Sequence, residues 1–205
     1  MNKTDESYAR IANLSQSYLK ISVDNYLAYS KCRKELEKIE NEISDDLNLY
    51  FHEKHSSLRD ETGTYYVISV IFCSMFLESY IYDFGARNTS DKYISKYLDK
   101  LDTMSKWVII PKIISGVEID RSKKSFEFIS KLISARNKLI HWKSKRMTFE
   151  TLEKNKDEKI YNLVDLEKVF ISIKDIFAQL DDGQEVKSHS FYISYIDEKS
   201  VANNV

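Results

Sequence analysis

The sequence predicts an all-α protein, and three observations carry that expectation. Four glycines and one proline in 205 residues are too few for the turns of an all-β or dinucleotide-binding fold. Helix-forming residues dominate the remainder. Long stretches, the first from about Asp5 to His55, hold neither glycine nor proline and place apolar residues at helical spacing. A chain of this length that is 42% hydrophobic supports one core, hence one helical domain over 1–180 and a tail over 181–205.

Residues 1–58 read as a long N-terminal helical region. Tyr8, Ile11, Leu14, Tyr18 and Ile21, then Leu36, Ile39, Ile43, Leu47 and Tyr50, fit one long helix or two end to end. The part from Lys31 to Asp46 is highly charged, as either a solvated helix or a pairing helix would be. Asp60-Glu61-Thr62-Gly63 predicts a break and a new helix start, opening the core segment at 60–180. The helix that follows, about Thr64 to Phe84, is apolar nearly all round and belongs at the centre of the core. Glu78 is its lone interior charge and needs a partner.

A short helix is expected over Asp91–Asp99. Another over Asp102–Ser115 is kinked or restarted by Pro111 and closed by Gly116. Ser122 to about Ser144 is predicted helical. Met147–Leu152 and Lys159–Val164 fit two short strands or an extended loop. Asn162–Leu180 is a last amphipathic helix, with Leu166, Val169, Phe170, Ile173, Ile176, Phe177 and Leu180 on one face. Asp181-Asp182-Gly183 ends it. The tail is polar apart from one strand-like patch, Phe191–Ile196.

Cys32 and Cys73 are two and far apart, which argues for a reducing compartment without a disulfide framework or a zinc site. The polar start Met-Asn-Lys-Thr-Asp-Glu-Ser has no signal-peptide core. The most apolar run, Tyr65–Leu77, is short for a membrane span and reads as a buried helix. A cytoplasmic protein with no membrane partner is expected. The net charge of −1 gives the whole molecule no nucleic-acid footprint. Locally the balance differs. From Arg121 to Arg146 stand nine basic residues and one acid, Glu127, a segment charge of +8. A solvated helix face accounts for such a run as readily as a binding surface does.

That basic segment holds the most specific feature of the chain, Arg136-Asn137-Lys138-Leu139-Ile140-His141. Arginine offers a permanent planar fork to a phosphate. Histidine gives or takes a proton near neutral pH. Asparagine can orient ribose or phosphate by hydrogen bonds. These three side-chain types suffice for metal-free RNA cleavage. A base removes the 2′-hydroxyl proton, the oxygen attacks the adjacent phosphate, and a proton goes to the leaving 5′-oxygen. His141 is the candidate for proton transfer, Arg136 for the developing phosphate charge, and Asn137 for geometry. No cofactor or metal is called for. His52 and His55 are a pair without further ligands and read as surface residues.

The helix around the hexapeptide carries three stripes. Phe128, Leu132, Ala135, Leu139 and Trp142 form one apolar seam. Ile129, Ile133, Arg136 and Ile140 form a second, so Arg136 stands where an aliphatic residue is expected. Ser130, Ser134, Asn137 and His141 form a third, small and weakly charged, as suits a face that another molecule approaches closely. Asn137 and His141 face the same way, whereas Arg136 is turned from His141 by about 140°. A two-fold homodimer, a curled arginine or an irregular helix could each bring the pair together. The structural alternatives are an Arg136–Glu78 ion pair, in which Glu78 orients or neutralises the arginine, and a helix-end histidine favoured by the dipole.

The run Ile133-Ser134-Ala135-Arg136-Asn137-Lys138-Leu139-Ile140-His141 resembles the signature helix of HEPN-domain proteins, in which four to six residues stand between an Arg, very often followed by Asn, and a His. The upstream context is similar as well. A hydrophobic helix bears Phe76-Leu77-Glu78-Ser79-Tyr80-Ile81, and Lys106-Trp107 to Pro111 precedes the signature. The likeness covers roughly residues 60–180. It implies an antiparallel helical bundle that dimerises with both signatures in one cleft. It further implies a metal-independent ribonuclease leaving a 2′,3′-cyclic phosphate, often a toxin or a phage-defence effector. Arg136, His141 and Asn137 would be the site, with Glu78 supporting and Lys138, Lys143, Lys145 and Arg146 on RNA. An antitoxin or a neighbour-encoded regulator is an expected partner. One toxin subgroup has a tyrosine two residues after the histidine, to which its antitoxin attaches nucleotides. Lys143 stands there in this chain, which speaks against that control. Other members bind partners or nucleotides without cleavage, so an interaction module stays open. A nucleotide sensor using Arg136 and Lys138 ranks last, because no glycine-rich phosphate loop accompanies them.

Overall fold

A computed structural model describes residues 14–42, 49–141, 162–181, 192 and 194–197. Among these the chain is helical with no strand, an all-α fold. The helices are α1 (Leu14–Glu42), α2 (Leu49–Asn88), α3 (Asp91–Tyr97), α4 (Thr103–Ser115), α5 (Lys124–Ile140) and α6 (Leu166–Asp181). The stretches 147–152 and 159–161, the whole of the first expected strand and half of the second, and Trp142, Lys143, Lys145 and Arg146 lie outside the described residues.

The predicted break at residues 60–63 does not occur, and α2 runs through it unbroken. The hydroxyls of Thr62 and Thr64 donate back to the carbonyls of Leu58 and Asp60 at 2.6 and 2.9 Å, within the helix rather than capping a new one. Thr62 and Gly63 are buried, so packing outweighs their turn preference. The boundary expected near residue 58 thus falls inside α2.

α1 and α2 pack along their lengths. Tyr18 meets Phe72, Ser22 meets Ser69 and Tyr29 meets Tyr66, so contacts descend α2 as they climb α1. Small side chains let the backbones approach. The Ser22 hydroxyl donates to the Ser69 carbonyl at 2.9 Å, and the Ser69 hydroxyl returns a bond to the Ser22 carbonyl at 2.8 Å. Leu19, Val23 and Leu36 carry α1 into the core.

The centre is α2, whose Tyr66, Val70, Cys73, Phe76, Leu77, Tyr80, Ile81 and Phe84 are buried, as its all-round apolarity predicts. Lys54–Asn88 has the length and hydropathy of a membrane span, so length gives no argument against one. Half of its most apolar window is buried inside the fold, as in the core helix of a bundle.

Local signals set the connections. The Ser90 side chain accepts from the Tyr93 amide to start α3, and that of Asp102 from the Ser105 amide to start α4. Pro111 lies inside α4, which continues to Ser115 without a restart, and Gly116 closes it at φ +72°. α6 buries all seven of its expected apolar residues. Between α5 and α6, Val164 is tied to α2, its amide donating to the Tyr66 hydroxyl at 2.8 Å and its carbonyl accepting from it at 3.0 Å. Burial pushes the Tyr66 hydroxyl up to about 12.

The strand-like expectation at 162–164 and in the tail is also corrected. Residues 162–164 form turns, and the described tail positions 192 and 194–197 are helical. Tyr192 and Ile196 are four apart, so a helical turn puts both on the core, where they are buried. The Tyr192 hydroxyl is 2.7 Å from that of Ser15, and its ring meets Phe76, Tyr80 and Phe177.

Candidate functional site

The hexapeptide forms the last turn of α5. Ile129, Leu132 and Ala135 anchor the helix in the core, with Phe128 and Leu139 half-buried. The third stripe is fully presented to solvent: Ser130, Ser134, Asn137 and His141 are all exposed. His141 is the C-cap, and its amide donates to the Asn137 carbonyl at 3.1 Å. Lys138 is exposed beside it.

Arg136 turns into an open groove of about 440 Å³, walled by Leu14 and Tyr18 of α1 and by Met75, Glu78, Ser79, Tyr82 and Asp83 of α2. Asp99 and Lys106 complete it. The groove is large enough for a nucleotide-sized group. Three carboxylates line it, yet none pairs with Arg136. Its guanidinium donates to Asn137 Oδ1 at 3.0 Å, its one hydrogen bond among the described residues.

Each carboxylate has another cation. Lys106 is 3% exposed, and its ammonium lies 3.2 Å from Asp99 and 3.8 Å from Glu78. Arg87 lies 3.5 Å from Asp83. Glu78 therefore shares the groove with Arg136 but ion-pairs with Lys106. The buried Arg136–Glu78 pair is not formed, and Arg136 keeps its charge facing the groove.

His141 does not line this groove. It lies five positions past Arg136, just beyond the end of α5, which on helical geometry is a rise of about 7.5 Å and a turn of about 140°. Within one chain the two point apart. The neighbours Asn137 and Arg136 are brought together, and His141 is not joined to them.

Sequence reading missed Lys106 and Asp99 as groove residues. The available signal was a lysine in the first turn of a largely apolar helix, followed directly by Trp107. Burial pushes the Cys73 thiol up to about 12 and raises the Cys32 thiol as well. His55 Nε2 lies 3.6 Å from Glu40, far along the α1–α2 pair from the hexapeptide.

No protein-family model, curated protein or solved structure matches the chain.

Proposed function

We propose that the protein is a metal-independent RNA endonuclease with a HEPN-like antiparallel bundle, working as a homodimer in the cytoplasm as a toxin or phage-defence effector. The observation that carries this reading is Arg136. Its guanidinium is held by Asn137 and left without a carboxylate in a groove that contains three. A structural arginine would take one of them. An arginine meant for phosphate must not.

The exposed stripe through His141 supplies the second half of the site. Because Arg136 and His141 diverge on one helix, a two-fold partner laid along this stripe would supply the missing member to each site. There His141 moves the 2′-hydroxyl proton or protonates the leaving 5′-oxygen, and Arg136 stabilises the charge on the phosphate oxygens. The P–O5′ bond breaks, and the products are a 2′,3′-cyclic phosphate and a 5′-hydroxyl.

A second reading is a non-catalytic module that binds a regulatory partner. It is favoured by the groove's own balance, three carboxylates against Lys106 and Arg136, which suits a protein surface better than a polyanion.

The deciding assay incubates labelled single-stranded RNA and tRNA with the protein in EDTA, beside His141→Ala. Cleavage in EDTA that leaves a cyclic phosphate and disappears in the variant is the expected result. Equal cleavage by both proteins removes His141 from the chemistry. Absence of cleavage by both favours the partner-binding module.

A further inference from the structure

We infer that α3 is a stacking platform for single-stranded nucleic acid, RNA in this setting. The inference deepens the reading above and rests on it for the strand's path toward Arg136.

From Asp91 to Lys100 only Ile94 and Leu98 are buried, and the other eight positions are exposed. Two apolar anchors suffice to hold so short a helix, so its outer surface is free for another task. Tyr93 and Tyr97 are four apart and share a face. They are 39% and 58% exposed, with ring centroids 5.2 Å apart. Lys92, Lys96 and Lys100 are all exposed and repeat at the same four-residue interval beside them. Within α3 the pair Lys92 and Lys96 therefore runs beside the pair Tyr93 and Tyr97, and Lys100 follows in the turn beyond the helix.

A single strand fits that pattern. Bases stack on the rings and phosphates follow the lysines. The exposed charges from Asp91 to Lys100 are three lysines against Asp91 and Asp99, and Asp99 is engaged by Lys106, so the ammoniums beside the rings favour a polyanion over an apolar partner helix. In the free protein the Lys96 ammonium lies 4.9 Å from the Tyr97 ring centroid. An exposed cation–π contact is weaker than base stacking, so a base displaces the ammonium, which then takes a phosphate.

The platform adjoins the groove. Asp99, two residues past Tyr97, lines the groove with Arg136 and is held there by Lys106. Two residues of chain span at most about 7 Å, so the platform's end and the groove's wall are neighbours.

The test uses the full chain carrying His141→Ala, so that strands survive. Fluorescence anisotropy is read with labelled oligouridine, oligoadenosine and an RNA duplex of equal length. Replacing both rings (Tyr93→Leu with Tyr97→Leu) should weaken single-strand binding about tenfold or more. Tyr93→Trp with Tyr97→Trp should retain it, and Lys96→Gln should reduce its salt dependence. The rings are exposed, so melting curves should match, and the tryptophan pair and Lys96→Gln decide the matter if the leucine pair fails to fold. Unchanged affinity in the leucine pair, no single-strand binding at all, or preference for the duplex overturns the platform. So does a leucine pair that dissociates a dimer, which would make the face a contact between copies. Ring-dependent binding without cleavage by the unmodified protein keeps the platform and removes the ribonuclease reading. Cleavage that the leucine pair leaves unchanged at subsaturating RNA does the reverse.

Discussion

At the scale of the residue, Lys106 decides what Arg136 can do. Among the described residues it is the one charged side chain that is buried. Its partners Glu78 and Asp99 are about half exposed, at 46% and 54% of their side-chain surface. Lys106→Met keeps the aliphatic stem and removes the charge. Breaking a buried pair costs about 3–5 kcal/mol, but here both stranded carboxylates rehydrate. We expect a loss of about 1–2 kcal/mol, or about 2–8 °C in Tm. Freed Glu78 then turns to Arg136 and RNA affinity falls, whereas adding Glu78→Gln restores affinity. Unchanged melting together with unchanged affinity would show that Lys106 sequesters nothing. The hexapeptide was legible because its side chains lie close together in sequence and their chemistry is narrow. The pairing of Lys106 was not legible. Its carboxylates lie 28 and 7 positions upstream, and only the packing of α2, α3 and α4 brings them to one point.

At the scale of the element, α2 shows where local rules lose to packing. Thr62 and Gly63 look like a helix start and lie buried inside one. Gly85 has the opposite role, since it is small because something is close. A Cβ there would stand 2.8 Å from Ile94 Cδ1 and 3.2 Å from Ile110 Cγ2, and both isoleucines are fully buried. Alanine in place of a helical glycine favours the helix by about 1 kcal/mol, while overpacking costs about 1–3 kcal/mol. The clash with two walled-in side chains wins, so Gly85→Ala should lower stability by about 1 kcal/mol, read by urea unfolding. Ile94→Val in the Gly85→Ala background should recover part of that loss, a coupling a double-mutant cycle detects. Simple additivity would show that α3 shifts freely. By contrast, the buried face of α6 was readable, because its 3–4 spacing faces a single core, although the helix starts at Leu166 rather than at the expected Asn162. Asp102 and Gly116 were readable as well, since capping is decided within a few residues.

At the scale of the whole molecule, the divergence of Arg136 and His141 makes the assembly the test of the proposed chemistry. If each site takes arginine from one protomer and histidine from the other, mixed Arg136→Ala and His141→Ala dimers contain one intact site. After unfolding and refolding together, about one quarter of full activity should return for random pairing of equal amounts. No return of activity, with dimers confirmed by sedimentation, would place both residues in one protomer's site. The segments on either side of residues 60–180 contribute to the same core among the described residues. Leu19 and Val23 of α1 and Tyr192 and Ile196 of the tail all enter the core. Both stretches carry apolar residues locally, but which of them would be buried depends on the apolar surface that α2 and α6 present.

The burial of Trp107 has an optical consequence. Its indole N–H donates to the Leu77 carbonyl at 3.2 Å, and its ring stacks on Tyr80 at 5.9 Å and 14°. Light absorbed by Tyr80 therefore leaves as tryptophan emission only while α2 and α4 stay together. The second of the two tryptophans, Trp142, directly follows His141 in the chain. One emitter thus sits in the core and the other adjoins the hexapeptide in sequence, and removing Trp142 by mutation leaves a label-free probe of the core.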